Sequence, residues 1–258
     1  MSELARSGKA VALDATGTLV GSVVSAILER DLGPQLAGAA GGVAGAFAKE
    51  ASSFVGRLFA DRRRRATSMV EHASEAAGQP DVDEFLTKLL GDEHHRELLY
   101  RSIQAAAQST SEAKIKTLAS ALASGSMSGD PAVVDESLVV VDTLAQLEAP
   151  HIRLLELLTT EPADPAAASY GFRPWPWRQH QLIEADPGLS NAFDALLARL
   201  TSLGMVTAFK AGHVDYADDR VHLTRFGQIC MGYLAEQAGD AEDLHGQREG
   251  SEITDDAR

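Results

Sequence analysis

The sequence predicts a mainly α protein: an N-terminal helical hairpin and a helical bundle, followed by a winged-helix-like domain of helices and a β-hairpin. Three observations carry this. Apolar residues make up 45% of the 258 positions but aromatics only 5%, as in cores of closely packed helices. Apolar residues recur at helical spacing from Val43 to Leu144. Finally, SNAFDALLARLTSLGMV leads through a polar segment to VHLTRFGQICMGYL between Ser190 and Leu234, in the order helix, hairpin, closing helix. The expected divisions are 1–78, a glycine- and alanine-rich segment with a basic end; 80–148, the bundle; 150–236, the winged-helix-like part; and 237–258, an acidic tail.

Residues 10–48 hold seven glycines and few charges. Asp14, Glu29, Arg30 and Asp31 divide them into uncharged runs of 14 and 17 residues, both short of the roughly 20 strongly apolar residues of a spanning helix. Gly38, Gly42 and Gly45 are spaced for close helix packing, and Gly33-Pro34 reads as a turn. From Val43 to Ala77 an amphipathic helix is expected, with Phe47, Phe54, Val55, Leu58, Met69 and Val70 on its apolar side. Lys49, Arg57, Arg62, Arg63, Arg64 and Arg65 form the one distinctly basic segment, six positive charges against two negative from Lys49 to Arg65. Two readings stand: a solvated helix face, or contact with an anionic membrane surface or nucleic acid.

Gly78-Gln79-Pro80 breaks that helix, and Asp81 with Glu84 marks a restart. Phe85, Leu86, Leu89 and Leu90 then define one helix, Leu98, Leu99, Ile103, Ala106 and Ala107 a second, and Ile115, Leu118, Ala119 and Leu122 a third. Asp130-Pro131 starts a fourth, carrying Val134, Leu138, Val141 and Leu144 to a stop at Ala149-Pro150. Ile152, Leu154, Leu155, Leu157 and Leu158 form a short apolar helix. The proline-rich segment from Glu161 to Arg178 is expected to run extended as a strap. Ser190 is read as a cap, Gly204 as a stop, and Thr224 as the cap of a last helix. From Glu236 onward eight acidic residues face two arginines, a composition expected to be disordered.

Chemistry-bearing residues are few. Glu93-His94-His95-Glu97 lacks the spacing that places two metal ligands on one helix face. His213, Asp215, Asp218, Asp219 and His222 sit where a hairpin attracts Asp for conformational reasons. Cys230 is the single cysteine and lies on an apolar helix face. No GxSxG, P-loop or GxGxxG occurs, so no catalytic residue, cofactor or metal is expected. The formal charge of −14 opposes general polyanion binding. Between Pro150 and Ala235, seven basic residues meet nine acidic ones, which favours protein contact over DNA reading. The DNA alternative rests on Arg199, Lys210 and Arg220.

The segments AKIKTLASALASG, LEAPHIRLLELL, LTSLGMV and LTRFGQICMGYL, in that order behind a glycine-rich N-terminus, resemble the helical proteins grouped as Abi-alpha, a family associated with phage abortive infection. The resemblance covers residues 80–235 and is one of arrangement. It implies an intracellular, non-enzymatic bacterial protein, in phage defence or carried on a mobile element; the basic segment adds the expectation of a cytoplasmic protein peripheral to the inner face of the membrane. The resemblance transfers no catalytic residue. The expected partners are a second protein or a further copy of the chain, with a membrane surface at residues 10–65.

Overall fold

The computed structural model describes residues 19–39, 46–160, 177–208 and 220–235. The chain divides into two compact units, Met1–Ala145 and Gln146–Arg258.

The first unit holds α1 (Leu19–Ala39), α2 (Ala46–Ala76), α3 (Val82–Gly91), α4 (Glu93–Gln108), α5 (Glu112–Ser126) and α6 (Pro131–Ala145). Helix α5 is the centre, packing against α2, α4 and α6. It is buried on nearly every side, with Ile115, Leu118, Ala119, Ala121, Leu122 and Ala123 all out of solvent. Its small residues let the neighbouring backbones come close. A Cβ at Gly125 would lie 2.5 Å from Leu98 Cδ2 and 2.8 Å from Ser137 Cβ. Around it, Phe85, Leu86 and Leu89 of α3, Leu98, Leu99 and Ile103 of α4, and Val134, Val141 and Leu144 of α6 complete the core.

Short polar signals set the helix ends. Asp81 accepts the backbone N–H groups of Asp83 and Glu84 at 3.0 and 3.1 Å, and Asp130 accepts that of Ala132 at 3.0 Å, each satisfying a donor at a helix start. Gly78 ends α2 with φ of 67°. There its N–H donates to the Glu75 carbonyl while Gln79 N–H reaches back to Ser74, the paired bonds of a Schellman ending. The buried Lys114 donates through Nζ to the Ala145 carbonyl at 2.9 Å, placing a cation on the C-terminal end of α6 where the helix dipole favours it.

At Gly33-Pro34 the structure differs from the expected turn. Helix α1 runs from Leu19 to Ala39 straight through Gly33-Pro34 rather than turning there. Proline disfavours a helical residue before it partly through that residue's Cβ, and Gly33 has none. Residues Val20, Val24 and Leu28 are buried, and α1 packs against α2, α3 and α4.

The second unit contains α7 (Ala149–Thr159), β1 (Trp177–Arg178), α8 (Gln179–Ala185), a 3₁₀ turn (Pro187–Ala192), α9 (Phe193–Ser202), β2 (Val206–Ala208), β3 (Arg220–Leu223) and a helix over 225–235, here α10. The strands form one antiparallel sheet in the order β1-β3-β2. Ala149-Pro150 opens α7 rather than closing α6, since proline is well tolerated in a first helical turn. Ser190 lies inside the 3₁₀ turn, and α9 begins after Ala192 without a side-chain cap. The strand β1 falls in the stretch expected to be an extended strap. Trp177 is buried against this sheet and its Nε1–H donates to the Thr160 carbonyl at 3.1 Å.

The junction of α9 and α10 accounts for the sequence LTRFG. Gly204 has φ of 71° and, with Met205, donates back to Thr201 and Leu200 at 3.0 Å, a second Schellman ending. Thr224 then does two jobs. Its Oγ1 accepts the Gly227 N–H at 2.9 Å as the cap of α10 and donates to the Gly204 carbonyl at 2.6 Å. Its N–H donates to the Met205 carbonyl at 2.9 Å. The first turn of α10 is thereby pressed onto the chain leaving α9, with no room for a side chain at Gly227.

Candidate functional site

The basic segment occupies the first half of α2. From Ala66 onward the inner face of this helix is sealed, with Ala66, Met69, Val70 and Ala73 fully buried. Before that point most of its described side chains face solvent. Phe54 is 62% exposed, and Gly56, Arg57, Leu58, Ala60, Asp61, Arg63 and Arg64 are exposed, with Phe59 and Arg62 half-buried. The sequence assigned Phe54 and Leu58 to the apolar side of α2; both are exposed.

The arginines are not equivalent. Arg64 pairs with Asp61 at 3.3 Å in full solvent, an arrangement of little energetic weight. Arg65 folds inward, donating through Nη2 to the Ala107 carbonyl at the end of α4 at 3.0 Å. Its Nε is buried without a hydrogen-bond partner. Arg65 therefore anchors the helix, whereas Arg57, Arg63 and Arg64 are exposed and Arg62 is half-buried. Lys49 lies in α2 and Gly38 in α1, with the side-chain surroundings of Lys49 outside the described residues, as are Gly42 and Gly45.

The histidines of the bundle serve different neighbours. His94 Nδ1 lies 3.6 Å from Asp135, His72 Nε2 lies 3.7 Å from Glu112, and His95 lies between Asp92 at 3.1 Å and the Ser128 carbonyl at 3.2 Å. Among the described residues no three His, Cys, Asp or Glu side chains gather as a metal site. Arg101 joins α4 to α6, donating to Glu97 at 2.7 Å and to Asp142. Hydrogen bonding to Glu97, followed by the pull of Asp142, raises its already high pKa.

In the second unit the outward side of α9 presents Asp194, Ala195, Ala198, Arg199, Thr201 and Ser202. Arg199 is its one cation and donates to Gln146 Oε1. A helix that reads bases presents several long donors; this face is short and nearly neutral. Lys210 and the cluster His213, Asp215, Asp218 and Asp219 lie outside the described residues, and Trp175 does too. Arg220 and His222 stand on β3, and Arg220 is paired across the sheet with Arg178. The strand β1 was not legible in the sequence because nothing in two residues of strand distinguishes them from a loop.

Cys230 is fully buried, and burial pushes its thiol up to about 12. It is thus a thiol at neutral pH and a small apolar filler of α10, since the thiolate is the reactive form.

No family model, curated protein or solved structure matches the chain.

Two titrations give a pH dependence. Burial lowers the pKa of His222 from its ordinary 6.5. Asp92 is held below its ordinary range, first by the backbone N–H of His95 that donates to it. In both, the folded pKa lies below the unfolded value, so the stability they contribute is present above the unfolded value and lost as pH falls through the folded one. Trp fluorescence, which reports the second unit, is expected to show a flat Tm above about pH 7 and a decline setting in below about 6.5. The Asp92 contribution belongs to the first unit; it is lost below about pH 4 and is read by circular dichroism rather than by Trp fluorescence. In His222→Gln the first decline is expected to flatten; equal slopes in the two proteins would remove His222 as its cause.

Proposed function

We propose that the chain is a non-enzymatic association protein that meets an anionic surface through the first half of α2. The single observation behind this is the exposure of Phe54, Arg57, Leu58, Arg63 and Arg64. Phe54 and Leu58 lie in solvent beside Arg57, Arg62, Arg63 and Arg64, on the same helix that is sealed into the bundle from Ala66 onward. An amphipathic segment with arginines flanking aromatic and aliphatic side chains lies in a headgroup layer without crossing it. Among the described residues no helix is long and apolar enough to cross a membrane, so contact of this kind is peripheral.

The second unit is read as a winged-helix-like scaffold, from the succession of α8, α9, strands β2 and β3, and α10. Protein contact is the better reading of its α9 face, because that face carries one acid and one engaged arginine. A role in phage defence follows from the resemblance to Abi-alpha proteins alone. Self-association and the N-terminal pair of helices as its element belong to the same proposal.

The test is flotation of the full chain with vesicles of pure phosphatidylcholine and of phosphatidylcholine with phosphatidylserine. Binding is expected to the anionic vesicles and to weaken with added salt. Replacing Arg57, Arg62, Arg63 and Arg64 by Gln, with Arg65 kept, is expected to lower the partition coefficient on the order of 100-fold. Equal partitioning of wild type and variant would sink the membrane reading, and retention of duplex DNA in place of vesicles would favour the nucleic-acid alternative.

A further inference from the structure

From Lys49 to Arg65 helix α2 holds two acids, Glu50 and Asp61. Residues three, four and seven positions apart lie along one side of a helix. Asp61 therefore shares its side with Phe54, Arg57 and Leu58 ahead of it and with Arg64 behind it, and all five are exposed. Asp61 Oδ1 accepts from Arg64 Nη2 at 3.3 Å, with the two side chains 57% and 79% exposed. An ion pair so open to water adds little to stability. Helix α2 is held instead by Arg65 and by Ala66, Met69, Val70 and Ala73. The Asp61 carboxylate thus has a small part in the fold, yet it stands inside the face read above as meeting an anionic surface.

We propose that Asp61 sets how much anionic lipid the α2 face requires before it binds. The inference rests on the membrane reading of this face. Two effects act in one direction. Negative headgroups repel the carboxylate, and the carboxylate holds an Arg64 donor that a lipid phosphate would otherwise accept. Both oppose binding, so a membrane must carry enough negative charge for the arginines of α2 to outweigh them. A membrane poor in anionic lipid is thereby left unbound, although Phe54 and Leu58 are exposed.

The full-length protein is floated with phosphatidylcholine vesicles carrying increasing fractions of phosphatidylserine. At intermediate fractions Asp61→Asn is expected to partition about 5-fold more strongly than wild type, the effect of one elementary charge beside an anionic leaflet. It is also expected to reach half-binding at a lower phosphatidylserine fraction. Asp61→Glu, which keeps the charge, is expected to bind as wild type does. Glu75→Gln removes the same charge from an exposed position of the same helix, about 21 Å away along its axis, and is expected to match wild type too. A far-UV spectrum like that of wild type verifies that each variant folds. If wild type floats with the anionic vesicles and Asp61→Asn needs the same phosphatidylserine fraction, the inference is overturned while the membrane reading of α2 stands. An equal gain in Glu75→Gln also overturns it, because net charge is then the cause. Failure of wild type and Asp61→Asn alike to float at any composition removes the membrane reading and this inference with it.

Discussion

Gly227→Ala is expected to unfold the second unit or to lower its stability by about 3 kcal/mol or more, although alanine is the better helix former by roughly 1 kcal/mol. A Cβ at this position would lie 2.1 Å from the Met205 carbonyl oxygen, 3.0 Å from its carbon and 3.2 Å from its Cα. Every one of those atoms is backbone, so no rotamer change relieves the overlap. Moving α10 away instead breaks the bonds from Thr224 to Met205 and Gly204 that hold the junction together. Denaturant unfolding followed by Trp fluorescence measures this, since Trp177 packs on the same sheet as β2 and β3. Thr224→Ala serves as the graded comparison, costing about 1 kcal/mol as the loss of a cap. A Gly227→Ala protein as stable as wild type would mean that α10 does not sit against Met205.

The second large effect is expected at Gly125→Ala, in the middle of the bundle. The added methyl would meet Leu98 Cδ2 at 2.5 Å, which can rotate, and Ser137 Cβ at 2.8 Å, which is fixed to the backbone of α6. Helices α5 and α6 must separate by part of an ångström, and overpacking of this kind costs about 1–3 kcal/mol. Gly56→Ala supplies the opposite sign. That glycine is helical and exposed, with nothing within 4 Å of where a Cβ would stand, so the change should stabilise by up to about 1 kcal/mol. Urea unfolding followed by circular dichroism reads both. If the two substitutions shift the midpoint in the same direction, close packing at Gly125 is not what the glycine provides.

These glycines show where the sequence is readable and where it stops. Asp81, Asp130, Gly204 and Thr224 were legible because each acts on backbone a few residues away, at offsets that the sequence itself displays. The core residues of α3 to α6 were legible through their 3.6-residue period. Gly125 and Gly227 gave only the absence of a side chain, and what fills that space comes from Ser137 and Met205, distant in sequence. Pro150 was placed at an end rather than a beginning because proline suits both the exit from one helix and the first turn of the next. The exposure of Phe54 and Leu58 was hidden for a related reason: periodicity assigns a face to the core side of a helix without saying how far the core extends. The pairing of Arg178 with Arg220 could not be found at all, because the two residues lie far apart in the sequence.

One mechanical consequence follows from the way α2 is held. At 1.5 Å per residue its 31 residues extend about 46 Å, and its firm seating begins at Arg65 and Ala66. Roughly 28 Å of the same continuous helix precedes that point. Such a rod is a lever with its fulcrum at the end of α4, and its short arm lies along α5. Arg57 lies about 12 Å ahead of that anchor, so a load on it becomes a torque on the most buried helix of the bundle, and a surface that captures Arg57 also has a mechanical hold on the core.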